Sequence, residues 1–182
     1  MLFLMFQVAK KQYLLYLIKN KGFQENNQGE FMDKDFRFTV LTSTQNATFK
    51  SVMKLRDRRD REKRRLTVLE GYRELTRAQE YGMELVECFF APEMFLGENE
   101  FTVLKSLAES GVRVYQVPPF MLEKMAYRDR PEGLIATAKM LRHTLDDLPV
   151  VENGLYLVAE AVEKPGNLGS MLRSADAAGW TA

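Results

Sequence analysis

The chain has 182 residues, of which 46% are hydrophobic and 28% charged, as in ordinary globular proteins with one or two compact domains. Its 26 Lys and Arg side chains balance 25 Asp and Glu, and a net charge of +1 excludes recognition of a polyanion by overall charge alone. One cysteine excludes an internal disulfide, and with only one histidine beside it a protein-only zinc site is not expected. The composition predicts a reducing, cytoplasmic compartment.

Residues 1–43 are predicted to form an N-terminal extension, either flexible or not native to the domain. Two apolar runs, 1–6 and 13–18, are separated by lysines and are too short for the roughly 20 residues that span a bilayer. We therefore expect no membrane segment. The polar, turn-rich stretch 21–34 is typical of a linker. A short additional amphipathic helix is the other interpretation of this region.

Residues 44–140 alternate between helical and strand patterns, which predicts an α/β sandwich with a largely parallel sheet. Cys88 lies in an apolar run and is predicted to be a small buried hydrophobe rather than a nucleophile. In chain order we predict a helix over 46–59 capped by Asn46 or Thr48, a strand over 66–69, a helix over 72–81 ended by Gly82, a strand over 85–90, a helix over 100–110 ended by Gly111, a strand over 112–117, a short helix over 118–126 and a strand over 133–140.

Residues 141–153 are charged and interrupted by proline, and we interpret them as a linker with His143 on its surface. A second unit, 154–182, then begins with an apolar run over 155–159 that predicts a strand buried on both faces. The helix predicted over 167–178 has the periodic apolar positions Leu168, Met171, Leu172 and Ala175. One strand and one helix do not make a domain, so we expect this second unit to be truncated or completed by another chain.

The segment 50–65, called the basic segment below, is the first candidate functional feature. It contains nine Lys or Arg and three acidic residues within sixteen positions, a local net charge of +6. Such a cluster suits a polyanion such as nucleic acid, although a solvated helix face with internal ion pairs such as Asp57 with Arg61 has the same pattern. The candidate nucleic-acid-binding residues are Lys50, Lys54, Arg56, Arg58, Arg59, Arg61, Arg64 and Arg65.

The second candidate feature is a glycine-containing loop that leads into the helix over 167–178. Asn167 is a natural N-cap, and Gly166 and Gly169 leave the backbone accessible at the helix terminus. Arg173 falls about 140° around the helix from Leu168, so it lies off the apolar stripe. The alternatives are a well-capped helix with an exposed arginine and a terminus that binds a small anion.

The string V-E-K-P-G-N-L-G-S-M-L-R-S-A-D-A-A-G over 162–179 resembles the first conserved motif of SPOUT-superfamily methyltransferases of the TrmH/SpoU type. Every position of the pattern P-x-N-x-G-x-x-x-R-x-A-x-x-x-G is met. Residues 64–71 are similar to the family's R-x-x-x-F-L-V-E-G signature, and 117–136 to its V-P … P-Q-G-I-L-A segment. Thr67 departs from an aromatic or apolar position, and 127–130 replaces a segment containing Ser or Thr.

This resemblance implies a ribosomal-protein-like α/β RNA-binding domain over 44–140, followed by the first strand and helix of an incomplete SPOUT trefoil-knot domain. It implies methyl transfer from S-adenosylmethionine to a ribose 2′-OH of rRNA or tRNA. Arg173 would assist the hydroxyl or position the phosphate, and Asn167 would orient the loop and ribose. The cofactor-binding motifs are expected after Ala182, and the complete protein is expected to be a homodimer.

We expect the present chain to bind RNA without methylating it. A non-catalytic RNA-binding module is the main alternative, and a regulatory domain that binds a small anion is the second.

Overall fold

A computed structural model describes residues 24–25, 30–32, 36–141 and 144–180. The chain divides into two compact units, 1–140 and 141–182. The prediction for His143 falls outside the described residues. None of the helices in the described ranges is long and apolar enough to cross a membrane.

The first unit is a mixed sheet with helices on both faces, which confirms the predicted α/β class. Its strands are β1 (Gln24–Glu25), β2 (Glu30–Met32), β3 (Arg37–Val40), β4 (Leu66–Glu70), β5 (Leu85–Phe90), β6 (Arg113–Gln116) and β7 (Leu134–Lys139). Its helices are α1 (Ala47–Lys54), α2 (Arg58–Arg64), α3 (Tyr72–Glu80), α4 (Glu100–Glu109) and α5 (Pro119–Met125). A 3₁₀ turn spans Pro92–Met94.

The seven strands are ordered β1-β2-β3-β6-β5-β7-β4. Only β6 pairs in parallel, with β3 on one side and β5 on the other, whereas β1–β2, β2–β3, β5–β7 and β4–β7 are antiparallel. The prediction of a largely parallel sheet is therefore wrong. Strand β7 begins at the end of the sheet where β5 stops, since Leu134 pairs with Phe90, so the chain enters β7 in the opposite direction to β5.

Alternate residues of the central strands divide the core between the two faces of the sheet. Cys88 and Phe90 face α3 and α4, while Phe89 faces α1 and α5. The period of two follows from the pleat of a strand, which points successive side chains to opposite sides. The helices with the basic segment therefore lie on the opposite face from α3 and α4.

The first unit extends further toward the N-terminus than predicted. Strand β3 pairs with β6, and Phe36 and Phe38 are 5% and 2% exposed. The ring of Phe38 meets the ring of Phe90 edge to face, with 5.4 Å between their centroids. This strand precedes the predicted start at 44, and the sequence pattern did not indicate it because the short β-prone run follows directly on a polar, linker-like stretch.

A buried carboxylate fixes the loop between α5 and β7, residues 126–133. Glu70, at the end of β4, is 8% exposed, and its Oε2 accepts hydrogen bonds from the backbone N–H of Tyr127 (2.8 Å) and, more weakly, of Arg128 (3.4 Å). The next residue is Gly71, with φ +105°, where an added Cβ would lie 2.8 Å from Oε2 of Glu74. In the Glu-Gly signature, the glutamate is therefore needed as a hydrogen-bond acceptor for the loop, and the glycine is needed because its backbone conformation and the nearby Glu74 side chain disfavour a Cβ.

The second unit has one α-helix in its described part, α6 (Pro165–Ala177), and a 3₁₀ turn at Leu145–Asp147. Residues 155–159 have no strand, and Leu155 and Val158 are 55% and 88% exposed. The predicted buried strand is wrong for this chain. No neighbouring strand among the described residues of the unit satisfies its backbone groups or covers its apolar faces.

We expect Cys88 to be inert in the folded protein. Its side chain is fully buried, and this burial raises the pKa of the thiol to about 12. Near pH 8 the thiolate population is then about a thousandfold below that of an ordinary cysteine. Labelling with a thiol-reactive disulfide reagent should be slow in buffer and complete within minutes in urea. Equal rates in the two solvents would contradict the burial.

Substitution of Glu70 should destabilise the fold through the α5–β7 loop. Glu70→Ala leaves two backbone N–H groups without their acceptor, so we expect a loss of about 1.5–3 kcal/mol in the free energy of unfolding. Glu70→Gln retains an amide oxygen and should lose less. Glu80→Ala, at an exposed position on α3, is the control. Urea unfolding measures all three, and equal stability of Glu70→Ala and Glu80→Ala would disprove the role of Glu70.

Candidate nucleic-acid interface

The basic segment forms two helices rather than the single helix predicted over 46–59. The Asn46 side chain caps α1 as predicted, accepting from the N–H of Thr48 at 2.8 Å. The chain then turns at Leu55, which is fully buried, and the Asp57 carboxylate caps α2 by accepting from the N–H of Arg59 at 2.7 Å. A second cap within the segment restarts the helix in a new direction.

Arginines of the basic segment fix the positions of α1, α2 and α5 by donating hydrogen bonds to backbone carbonyl groups, and Arg56 and Arg61 each bond two of them. The Arg56 guanidinium donates to the carbonyls of Lys124 (2.9 Å) and Ala126 (2.5 Å), at the end of α5. Arg61 donates to the carbonyls of Leu55 (2.9 Å) and Arg56 (2.8 Å). These carbonyls lie in or directly after the last turns of helices, where intrahelical donors are lacking, so the arginines supply both hydrogen bonds and favourable charge.

Arg64 and Arg58 are also engaged within the segment. Arg64 donates to the carbonyl (2.6 Å) and the hydroxyl (2.7 Å) of Ser51 on α1. Arg58 pairs with Glu62 at 2.7 Å on the exposed face of α2, and this hydrogen bond raises the pKa of its guanidinium. The predicted internal pair of Asp57 with Arg61 does not form. The ion-pair interpretation of the segment is thus correct for Arg58, while Arg56, Arg61 and Arg64 bind carbonyl or hydroxyl oxygens.

The remaining cations of the segment point to solvent. Their side chains are exposed and make no hydrogen bond or ion pair with any described residue. They are Lys50 and Lys54 on α1, Arg59 and Lys63 on α2, and Arg65, which ends α2 in the left-handed region at φ +55°. Lys63 was counted among the nine cations of the segment but was not among the residues selected from the sequence, and the selection included Arg56, Arg61 and Arg64, whose guanidinium groups are engaged within the fold.

The α5–β7 loop adjoins this surface. Tyr127 donates its hydroxyl to the carbonyl of Leu55 (3.3 Å), and the Arg56 guanidinium lies over its ring, 5.5 Å from the centroid. Arg128 bonds Glu74 and lies 3.5 Å from Glu132, and the hydrogen bond to Glu74 raises the pKa of the guanidinium. The α5–β7 loop, which departs from the family pattern at 127–130, is therefore held by the turn between α1 and α2 through Tyr127 and by α3 through Arg128.

The second unit places the motif residues differently from the prediction. Helix α6 begins at Pro165, so Asn167 lies inside the first turn and is exposed rather than being the N-cap. Proline is well suited to the first helical position because it has no N–H to leave unbonded. Gly169 and Arg173 lie together, since Nη1 of Arg173 is 3.3 Å from where a Cβ on Gly169 would be. Gly166 has nothing within 4 Å of its own Cβ position.

Residues 46–136, half of the chain, match the model of the MRM3-like substrate binding domain. The chain is 34% identical over 140 residues to an uncharacterized tRNA/rRNA methyltransferase of Synechocystis sp., covering 76% of this chain and 49% of the relative. The chain spans about half the length of the curated relatives it matches, or less.

Two solved structures are similar. A crystal structure of an RNA 2′-O ribose methyltransferase is 39% identical with a TM-score of 0.65, covering 78% of this chain and 53% of that chain. The SpoU methyltransferase AviRb from Streptomyces viridochromogenes, solved with AdoMet, is 27% identical with a TM-score of 0.61, covering 75% of this chain and 51% of that chain. The family match and these relatives agree with the motif at 162–179. The chain belongs to the SpoU/TrmH-type RNA methyltransferases, through an MRM3-like substrate binding domain.

Proposed function

We propose that the first unit binds RNA through the exposed cations of α1 and α2. The observation that carries this proposal is the division of the basic segment into arginines that brace the fold and cations that face solvent. A near-neutral protein thus presents five unpaired positive charges on two adjoining helices. Phosphates that contact them would release counterions, the main source of salt-dependent affinity for nucleic acid.

The proposed RNA is rRNA or tRNA, since the relatives bear those substrates in their names. The proposed whole-protein activity is S-adenosylmethionine-dependent 2′-O-methylation, in the cytoplasm and as a homodimer. The bound cofactor supplies an activated methyl group. The proposed roles of Arg173 and Asn167 are to position the phosphate and ribose near that group, because an arginine is protonated under ordinary conditions and is a poor general base.

The described residues of the second unit do not by themselves fit a cofactor site. Asn167 and Arg173 are exposed, and no described side chain donates to or accepts from either of them. The run over 155–159, expected to form a buried strand, is irregular and exposed. We therefore propose no catalytic step through the cofactor on this chain. This observation favours the second candidate function, an RNA-binding module without methyltransferase activity of its own.

Removal of two exposed cations should weaken RNA binding. The double variant Arg59→Gln, Lys63→Gln removes charges one turn apart on α2, and Arg73→Gln, Arg77→Gln removes a pair with the same spacing on α3, on the opposite face. We expect the α2 variant to bind an RNA hairpin with lower affinity than the wild type, and the α3 variant to bind it with wild-type affinity. The α2 variant should also reduce the slope of log K against log salt by roughly one to two, about one per lost phosphate contact.

Fluorescence anisotropy at several salt concentrations measures both quantities. Arg61 is left intact because its loss would remove two bonds to carbonyls and confuse stability with binding. Equal slopes for the wild type and the α2 variant, or an equal loss in the α3 control, would refute the assignment of the interface.

The chain should not transfer methyl groups to RNA. With tritiated S-adenosylmethionine and total rRNA, we expect no label above that of a heat-denatured control, while the same preparation binds RNA. Label on the RNA, absent from an Arg173→Ala variant, would contradict this expectation and establish catalysis by the 182 residues.

A further inference from the structure

The ring of Tyr127 is exposed and yet rigidly held. It is 55% exposed, although its backbone N–H is bonded to the buried Glu70 carboxylate and its hydroxyl to the carbonyl of Leu55. A ring fixed at both ends does not leave the surface by a simple rotation of its side chain. Its exposure is thus a property of the folded loop.

One face of the Tyr127 ring is covered by a cation that is itself immobilised. The Arg56 guanidinium over the ring bonds the carbonyls of Lys124 and Ala126. A stacked base would therefore approach the ring from the face opposite Arg56. Phe120 repeats the arrangement on α5: it is 45% exposed, with the Lys124 ammonium 5.8 Å from its centroid.

The Tyr127 ring adjoins the proposed phosphate-binding surface. Leu55 and Arg56, which contact Tyr127, connect α1 to α2 and so lie between Lys54 and Arg59 along the chain. Aromatic side chains next to cations suit single-stranded RNA, because the phosphates meet the charges while an unstacked base covers the ring. Bases inside a duplex are already stacked on their neighbours and cannot reach such a ring.

We propose that Tyr127 is a stacking platform for one unpaired base of the RNA. This inference rests on the proposed RNA-binding function and adds to it the kind of RNA that is preferred, one with an unpaired nucleotide next to the phosphates that α1 and α2 contact. A purely structural role for the ring, as a cover for Arg56, would affect stability and leave this preference unchanged.

The test compares a single-stranded oligoadenylate with a fully paired RNA duplex. Tyr127→Leu keeps an apolar side chain without a π face, Tyr127→Phe keeps the ring, and Tyr81→Leu is the control at an 87% exposed tyrosine that ends α3 on the opposite face. We expect Tyr127→Leu to weaken binding of the single strand about fivefold or more, with duplex binding unchanged. Tyr127→Phe and Tyr81→Leu should bind both RNAs as the wild type does.

Wild-type affinity of Tyr127→Leu for the single strand, or an equal loss on both RNAs, would overturn the proposal. Absence of binding to either RNA by the wild type would instead overturn the proposed function. If Tyr127→Leu does not fold, the test uses the wild type and Tyr127→Phe. Each is mixed with an oligoadenylate that contains one 2-aminopurine, a fluorescent analogue of adenine. Quenching of its fluorescence by both proteins supports stacking, and unchanged or increased fluorescence overturns it.

Discussion

Carbonyl groups at the ends of α1 and α5 lack donors from their own helices, and arginine side chains supply them. Arg56 bonds the carbonyls of Lys124 and Ala126, and Arg61 bonds those of Leu55 and Arg56. Five N–H donors in a planar group allow one arginine to serve two carbonyls, which a lysine ammonium does with less fixed geometry. These bonds join the turn after α1 to the end of α5. The position of α2, the exposure of its cations and the orientation of Tyr127 all depend on that junction.

The sequence predicted helices and strands correctly where buried residues recur with the period of a helix or a strand. Strand β5 and the helices that end near Gly82 and Gly111 agree with the pattern to within a residue or two, because alternation and glycine stops are local signals. Strand direction is set by the end of the sheet to which a connection returns the chain, and the segment after β6 returns it to the end where β5 stops, which makes β7 antiparallel to β5. For the candidate site, the sequence located the cations but could not separate Arg61 from Arg59, since the difference lies in carbonyls that only the folded chain brings near. Glu70 and Tyr127 are 57 residues apart, and their hydrogen bond has no sequence signal beyond the Glu-Gly signature.

The second unit shows the same dependence on tertiary context. Its motif matches the family pattern at every position, and α6 forms largely where the apolar spacing predicts. The preceding apolar run does not become a strand, because a strand needs partners for its backbone as well as an apolar sequence. The proposed RNA binding therefore rests on a folded surface of the first unit, whereas the proposed methyl transfer rests on the motif of the second unit alone.

Lysine footprinting can show whether RNA lies on the α1–α2 face of the first unit. Acetylation with and without RNA, followed by mass spectrometry, reports each lysine of the intact protein in a single experiment. RNA bound on this face should protect Lys50, Lys54 and Lys63 from acetylation and leave the acetylation of Lys105, on α4 at the opposite face, unchanged. Protection of Lys105 with continued acetylation of Lys50, Lys54 and Lys63 would contradict RNA binding on the α1–α2 face.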